Sequence, residues 1–200
     1  MAYSGAKKIE HLIFKIMERA LFILFDQKNA IVIEEYIVSF FPSLVKEYCL
    51  TRQPVVSNEL RYVDHYGIKK FEKVVIVGGG SAPFTAMYWA NFFKGPIVVL
   101  DKSRSAKLFS EKLISKSNIT NITILNQRGE DYNGYNNCIV IISLYAENKR
   151  GILEKIFENR RGNNMILLRS FFDEQFDSLS NKWEVIEQNS NFHTLVLVIH

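Results

Sequence analysis

A run of apolar residues that breaks into three glycines constrains the fold of this chain more than any other feature. Residues 74–77 are apolar, Gly78, Gly79 and Gly80 follow, and apolar residues then resume at helical spacing. This order is typical of a buried strand, a tight turn and a helix. Three glycines leave room for a ligand to lie against the turn. A tight turn that binds no ligand is the alternative interpretation.

A second apolar run ends on an acid. Residues 96–100 lead directly into Asp101, at the predicted tip of the next strand. An acid at that place can accept hydrogen bonds from both ribose hydroxyls of a bound nucleoside. Together with the glycine turn, Asp101 predicts a site for S-adenosylmethionine (SAM). Capping of the helix that follows Ser103 is the alternative role for this carboxylate.

Composition and charge limit the class of protein. The chain has 200 residues, of which 48% are hydrophobic, enough for one compact domain with a helical extension. The net charge of +4 is scattered along the chain, so we expect no nucleic-acid partner. The histidines and cysteines lack metal-ligand spacing, so we expect no metal. Neither a signal peptide nor a membrane span fits the N-terminal pattern, and we expect a cytoplasmic protein.

The first third of the chain has helical periodicity. Apolar residues recur three and four apart over residues 9–25, and further helices are predicted over 30–41 and from Pro42 to Leu50. Pro54 predicts a break, after which Ser57 caps another helix that Gly67 ends. We therefore predict a helical cap over residues 1–70 and a SAM-binding Rossmann-like domain over residues 71–200.

Strands and helices alternate in the rest of the chain, which predicts a parallel, doubly wound sheet. A short helix near 172–179 precedes two strands that a turn joins, and such strands pair antiparallel. The predicted fold class is α/β, a Rossmann-like SAM-dependent methyltransferase fold with a parallel sheet ending in an antiparallel hairpin. The predicted parallel strands are 74–77, 97–100, 122–125, 138–143 and 165–169, with helices at 82–93, 103–116 and 146–159.

Polar residues that follow the later strands are candidates for the same site, because ligands of open parallel sheets bind at the carboxyl ends of the strands. Glu130 or Asp131 is predicted to accept the adenine amino group, although a solvated turn explains both acids. Ser143 and Tyr145 are predicted beside the sulfonium, with the Tyr145 ring either facing the cation or packing in the core. Arg169 is predicted to bind a substrate carboxylate, or else to pair with a neighbouring acid.

Four segments resemble the nicotianamine synthase family. Residues 78–85 look like its Gly-Ser-Gly-Pro-Leu-Pro-Leu-Thr loop, with Pro83 and Thr85 at its second proline and its threonine. Asp101 and Lys102 begin a segment similar to its Asp-x-Asp-x-x-Ala. The other two segments are 143–149, which resembles its Leu-Val-Gly turn and lysine-bearing helix, and 166–170, which resembles its Leu-Arg-Ser strand end. The resemblance implies a cofactor-binding role for Pro83, Thr85 and Lys102.

The resemblance also implies a reaction. It predicts transfer of the 3-amino-3-carboxypropyl group of SAM, as co-substrate, to a small-molecule amine or amino-acid-like acceptor, with release of methylthioadenosine. In the family a glutamate ahead of the glycine loop takes part with a tyrosine nearby. Glu59 is the candidate glutamate, although an exposed acid in a first helical turn explains it too, and Tyr62, Tyr88 or Tyr145 is the candidate tyrosine. The catalytic set predicted is therefore Glu59, Tyr145 and Arg169.

Departures from the family pattern keep other functions open. Ser81 and Ala82 stand where the family loop has proline and leucine, and Ser103 replaces its second acid. The alternatives are a SAM-dependent methyltransferase that acts on a small molecule or RNA, and a non-catalytic SAM-binding module. Whether the helical cap seals the pocket or forms a homodimer is also left open.

Overall fold

The computed structural model describes residues 3–40, 44–159, 162–171, 174, 176, 184–188 and 192–199. These residues form six α-helices and seven β-strands, and the strands make one sheet. The helices are α1 (Tyr3–Leu24), α2 (Gln27–Phe40), α3 (Val45–Tyr66), α4 (Phe84–Trp89), α5 (Arg104–Ile114) and α6 (Lys149–Glu158). The strands are β1 (Lys73–Val77), β2 (Ile97–Asp101), β3 (Ile122–Asn126), β4 (Cys138–Ile142), β5 (Asn164–Phe171), β6 (Glu184–Gln188) and β7 (Phe192–Ile199).

The sheet has the order β3-β2-β1-β4-β5-β7-β6. Strands β1 to β5 are parallel, and β7 pairs antiparallel with both β5 and β6. The predicted fold class, a parallel sheet that ends in an antiparallel hairpin, is therefore confirmed. The strand order reverses between β1 and β4, and a reversal of this kind leaves a crevice beyond the carboxyl ends of the two strands.

Strands β1 and β4 are apolar, apart from Lys73 at the start of β1, because both faces of the sheet are covered there. Successive side chains of β1 point to opposite faces, so Val74 and Ile76 join a core layer with α3 and α4. Val75 and Val77 join a second layer with α6, through Ile152 and its neighbours. Burial of both layers fixes the position of β1, and with it the start of the glycine loop.

Helix α3 continues through Pro54, so the predicted break at this residue and the predicted cap at Ser57 are wrong. A proline inside a helix removes one backbone hydrogen bond. Here Val56, Leu60 and Val63 are buried in the core, and this packing holds the helix together across the proline. The predicted end is correct, because Gly67 has a φ of 109° and its N–H donates to the Val63 carbonyl at 2.9 Å.

Helix α1 buries one face and exposes another. Phe14 and Leu21 are buried, whereas Leu12, Ile13, Ile16, Ile23 and Leu24 are each more than half exposed. Helix α2 contacts the sheet domain through α5, where Tyr36 and Ser105 share a hydrogen bond of 2.9 Å between their hydroxyls. None of the helices in the described part of the chain is both long and apolar enough to cross a membrane.

Several predicted bounds differ from those of the structure. Helix α4 covers Phe84–Trp89, shorter than the predicted 82–93, because residues 90–92 form a turn before β2. The predicted helix near 172–179 lies outside the described residues, apart from Glu174 and Phe176. The division into a cap over 1–70 and a domain over 71–200 stays a prediction.

Candidate functional site

A cavity of about 630 Å³ lies at the carboxyl ends of the parallel strands. Its volume is within the range of small-molecule sites. The sheet supplies the floor and the cap helices α1, α2 and α3 supply part of the wall. The polar and glycine residues that line it are Glu18, Glu35, Gly78, Gly79, Gly80, Thr85, Asp101, Lys102, Gln127, Arg128, Gly129, Glu130, Ser143, Tyr145, Glu147 and Arg169, with Pro83 among the apolar ones.

The glycine loop is shaped by close approaches. Gly78 has a φ of 80°, and a Cβ placed there would lie 3.3 Å from the Cβ of Ser143. Gly80 has a φ of 66°, and a Cβ there would overlap the carboxylate of Glu35. Positive φ values favour glycine, so both positions need it on conformational as well as steric grounds. The loop backbone therefore forms the cavity surface directly.

Asp101 orders this loop. One carboxylate oxygen accepts the Gly80 N–H at 2.8 Å, and the other accepts the Ser103 N–H at 2.9 Å. The N-cap residue of α5 is Ser103, whose hydroxyl accepts the Ala106 N–H at 3.2 Å. A carboxylate has about four lone-pair sites, so Asp101 keeps acceptor capacity for a ligand while it holds the loop.

The cap places two carboxylates in the cavity that the sequence interpretation missed. Glu35 of α2 accepts the Ser81 N–H at 3.0 Å, and Glu18 of α1 lines the same cavity. A signal for Glu18 existed, because it lies at helical spacing between Phe14 and Leu21, which are buried. An acid on the buried face of a helix indicates a polar partner or a cavity.

Arg169, at the end of β5, is held by Glu59 of α3. The Nε and Nη2 groups donate to the two Glu59 carboxylate oxygens, each at 2.8 Å, and Nη1 donates to the Thr85 hydroxyl at 3.2 Å. Glu59 is fully buried, whereas the Arg169 side chain is 12% exposed and lines the cavity. The arginine's acid partner is thus a cap residue, and the catalytic roles of both residues stay predictions.

Two other basic residues of the cavity wall are also paired with acids. Lys102 contacts Glu147, and the Arg128 Nε donates to Glu130 at 2.9 Å. Burial opposes ionisation of Glu130, but its backbone hydrogen bond, Asn148 and Arg128 together lower its pKa. Asp131, the alternative adenine acceptor, is exposed and is not among the described residues that line the cavity.

Among the three candidate tyrosines, Tyr145 is the one that lines the cavity in the described part of the chain. Its ring meets Phe171 edge to face, with centroids 5.6 Å apart. Tyr62 donates to Glu184 at 2.5 Å, and burial followed by this bond raises the pKa of Tyr62 to about 12. The Tyr88 hydroxyl lies 3.0 Å from that of Ser57. Tyr145 is therefore the tyrosine best placed to contact a ligand.

The fourth strand adds the last predicted residue of the site. Ser143 follows β4, and its N–H donates to the Val77 carbonyl at 3.0 Å, which fixes it next to the glycine loop.

Among the described residues, no three His, Cys, Asp or Glu side chains are grouped as metal ligands. Cys138 is buried in β4, and this burial raises the pKa of its thiol to about 12.

Comparison with known proteins identifies the fold. No protein-family model matches the sequence. No curated protein matches it either. Among solved structures, the chain is similar to MtNAS, a nicotianamine synthase, in complex with MTA and tNA, with 16% identity and a TM-score of 0.66 over 82% of this chain and 67% of that one. A mutant of MtNAS in complex with S-adenosylmethionine matches with 14% identity and a TM-score of 0.61, over 98% of this chain and 74% of that one.

A second kind of neighbour has the same architecture. A SAM-dependent methyltransferase from Aquifex aeolicus matches with 14% identity and a TM-score of 0.59, over 80% of this chain and 98% of that one. At such identities the likeness establishes a fold rather than a family. The chain has the Rossmann-like fold of SAM-dependent methyltransferases. The MtNAS and Aquifex aeolicus structures both match this fold.

Proposed function

We propose that this protein is a SAM-dependent transferase that moves the 3-amino-3-carboxypropyl group of SAM to an amine and releases methylthioadenosine. The observation that carries the proposal is the meeting of the glycine loop, Asp101 and the cap carboxylate Glu35 around one cavity. Two neighbours of the same fold support it, since one MtNAS structure holds MTA and another holds S-adenosylmethionine. The sequence resemblance to nicotianamine synthases points the same way.

The cavity residues suit each part of SAM. Asp101 accepts hydrogen bonds from the ribose hydroxyls, since it keeps lone pairs beyond those that hold Gly80 and Ser103. Glu130, held ionised by Arg128 and Asn148, accepts the adenine amino group. The sulfonium lies near Ser143 and Tyr145, where an aromatic face stabilises a cation. The amino-acid end of SAM lies along the glycine loop.

The chemistry requires a neutral amine. Its nitrogen lone pair attacks the γ-carbon of SAM, the bond from that carbon to sulfur breaks, and the electron pair of that bond goes to sulfur. The sulfonium becomes the neutral thioether of methylthioadenosine, and the new ammonium loses a proton. Glu35 lies in the cavity against the loop and is the carboxylate we assign to this proton. Glu59 acts as a positioning residue for Arg169, which lines the same cavity.

Product analysis tests the proposal. Purified protein is incubated with SAM that carries label in its methyl group and with a mixture of small amines. We expect labelled methylthioadenosine, and less of it from the Asp101→Ala variant. Formation of S-adenosylhomocysteine together with a methylated amine would overturn aminocarboxypropyl transfer.

A methyltransferase is the second candidate function. The Aquifex aeolicus enzyme supports it, because the match covers 98% of that chain. In that case the nucleophile attacks the methyl carbon of SAM in the same cavity, and S-adenosylhomocysteine is the product. SAM binding without turnover of any amine or methyl acceptor would instead indicate a non-catalytic module.

A further inference from the structure

Two apolar side chains of the cap line the cavity without belonging to the core. Ile31 of α2 and Val55 of α3 lie on the cavity wall, and each is half-buried. Neither is among the described side chains that make up the two core layers. Apolar surface of this kind is removed from water only when a ligand covers it, and such burial is favourable. The cap therefore offers a ligand an apolar contact inside the cavity.

Each of these residues lies one helical turn before a carboxylate of the site. Ile31 is four residues before Glu35 on α2. Val55 is likewise four residues before Glu59 on α3. Residues at this spacing share one face of a helix, with their Cβ atoms about 5–6 Å apart. Because the Glu35 carboxylate accepts the Ser81 N–H at 3.0 Å, the Ile31 side chain lies one turn away from the glycine loop.

The contacts proposed for SAM come from a different part of the cavity wall. Asp101 ends β2, Glu130 follows β3 and Ser143 follows β4, so all three lie at the carboxyl edge of the sheet. Ile31 and Val55 belong instead to the cap helices. In the proposed reaction, the second molecule that the cavity must hold is the acceptor amine, whose proton passes to Glu35.

We propose that the acceptor is a primary alkylamine, whose unbranched apolar chain of about four or five carbon atoms packs against Ile31 and Val55. This inference rests on the proposed function and names its substrate class. The nitrogen reacts at the γ-carbon of SAM, with the bond changes and the proton transfer to Glu35 described above. The chain extends along α2, where one helical turn of about 5.4 Å spans roughly four carbon–carbon bonds. The product is a secondary amine that carries the alkyl chain and the 3-amino-3-carboxypropyl group.

A series of amines of increasing length tests the inference. Ethylamine, propylamine, butylamine and pentylamine share the attacking nitrogen and differ only in the number of CH₂ groups. With SAM saturating, we expect kcat/KM for methylthioadenosine release to rise about 3- to 4-fold with each added CH₂, up to butylamine or pentylamine. Equal values across the series, or no reaction with any of the four amines while SAM binds, would overturn the inference.

1,4-Diaminobutane provides an isosteric comparison. It has the length of pentylamine but ends in an ammonium group instead of a methyl group. We expect kcat/KM to be at least about 10-fold higher for pentylamine, because the ammonium would lose its hydration against Ile31 and Val55. Equal values, or a preference for the diamine, would contradict an apolar contact.

Two further measurements distinguish these failures from failure of the proposed function. SAM is titrated into the protein by calorimetry without an acceptor, and absence of binding overturns the proposed function and the inference with it. Binding of SAM with methylthioadenosine release that does not depend on chain length overturns the inference and leaves the transferase intact. A rate that rises with chain length but yields S-adenosylhomocysteine overturns aminocarboxypropyl transfer and leaves the apolar contact in place.

Variants of Ile31 and Val55 assign the contact to the cap. Ile31→Ala removes apolar surface, and we expect it to raise the KM for pentylamine about 10-fold while the KM for ethylamine and the Kd for SAM stay unchanged. Val55→Thr is nearly isosteric but places a hydroxyl against the alkyl chain, and should raise the KM for pentylamine several-fold.

The comparison of the two amines separates recognition from stability, because a loss of stability would affect pentylamine and ethylamine alike. Ile23→Ala is the matched control, since Ile23 lies on the exposed face of α1 and is 82% exposed, and it should change neither KM. The same ratio of the two KM values in Ile31→Ala, Val55→Thr and the original protein would overturn the inference.

Discussion

Glu59 and Arg169, which are 110 residues apart in sequence, face each other as a bidentate ion pair inside the cavity wall. Glu59 belongs to the cap helix α3, and Arg169 to the end of β5. The pair therefore joins the cap to the sheet at the place where the site is built. Thr85, which the arginine also contacts, extends the connection to α4.

Removal of one residue of the Glu59–Arg169 pair should lower the free energy of unfolding. Glu59→Gln removes the carboxylate that the Nε and Nη2 groups of Arg169 contact in a nearly dry environment, and we expect the free energy of unfolding to fall by about 3 kcal/mol or more. Urea unfolding followed by circular dichroism measures it. The double variant Glu59→Leu/Arg169→Met, which removes both charges, should lose less than the sum of the two single losses. A Glu59→Gln protein of full stability but without turnover would instead support the catalytic role predicted from sequence.

Loss of the loop acid should weaken SAM binding. Asp101→Ala removes the proposed ribose acceptor and the bond to the Gly80 N–H, and we expect affinity for SAM to fall by about 1.5–3 kcal/mol, roughly 10- to 150-fold. Titration calorimetry measures the change. Asp64→Ala, at an exposed position of α3, is the control for general loss of negative charge. Equal affinities for the two variants would remove Asp101 from the site.

The two candidate adenine acceptors differ in their positions relative to the cavity. Glu130 lines the cavity with a lowered pKa, whereas Asp131 is exposed beside it. We expect Glu130→Gln to weaken SAM binding several-fold, because a neutral amide is a poorer acceptor than a carboxylate, and Asp131→Asn to leave it unchanged. The reverse result would assign adenine to Asp131.

Acid stability should depend on Glu174. Burial opposes ionisation of this carboxyl, but hydrogen bonds from Lys149, the Phe171 N–H and Ser170 lower its pKa below 4.5. A carboxyl with a lowered folded-state pKa stabilises the protein fully above the unfolded-state value, and this contribution is lost as the pH falls through the folded-state value. Glu174→Gln should therefore be less stable at neutral pH and show a flatter loss of stability below pH 4.5.

Thermal unfolding at several pH values measures this dependence. The Lys149 side chain is only 4% exposed, so loss of its partner leaves a buried charge and makes the neutral-pH effect large. Glu154→Gln removes an exposed carboxylate from the same helix and should follow the original protein. Parallel curves for the Glu174 variant and the original protein below pH 4.5 would contradict the assignment.

The sheet and the loop were predictable because their signals are local. Strands buried on both faces have continuous apolar runs, and β1, β2, β4 and β5 contain such runs, whereas the exposed Thr123 interrupts β3. The glycine loop and Asp101 lie within one βαβ unit, so their approach follows from the motif itself. The sequence therefore predicted the parallel strands, the hairpin and one side of the cavity.

The cap side of the site was not predictable in the same way. The contact between Glu35 and the Ser81 N–H depends on how α2 packs against the sheet, and this packing leaves no local pattern. Arg169 was predicted to bind a substrate carboxylate or to pair with a neighbouring acid, and its acid partner in the structure, Glu59, comes from a distant helix. The predicted helix break at Pro54 was wrong because tertiary packing of α3 outweighs the local cost of proline.

Replacement of Pro54 tests this last explanation. The residue is exposed in the middle of α3, so Pro54→Ala restores a backbone donor without altering the core. We expect the free energy of unfolding to rise, by up to about 3 kcal/mol, the cost of proline in a helix interior. Chemical denaturation measures it, with Gln53→Ala at the neighbouring exposed position as control. A less stable alanine variant would show that the proline contributes to the packing of α3.

The hydrogen bond from the Ser81 N–H to Glu35 means that both α2 and the sheet are needed to form the glycine loop. A sheet grafted from another protein of this fold would lack the Glu35 carboxylate, and a grafted α2 would lack the Ser81 N–H that donates to it. Chimaeras that exchange either half should therefore lose the loop geometry even when both halves fold. A chimaera that keeps the loop geometry would have to take Glu35 and Ser81 from the same parent protein.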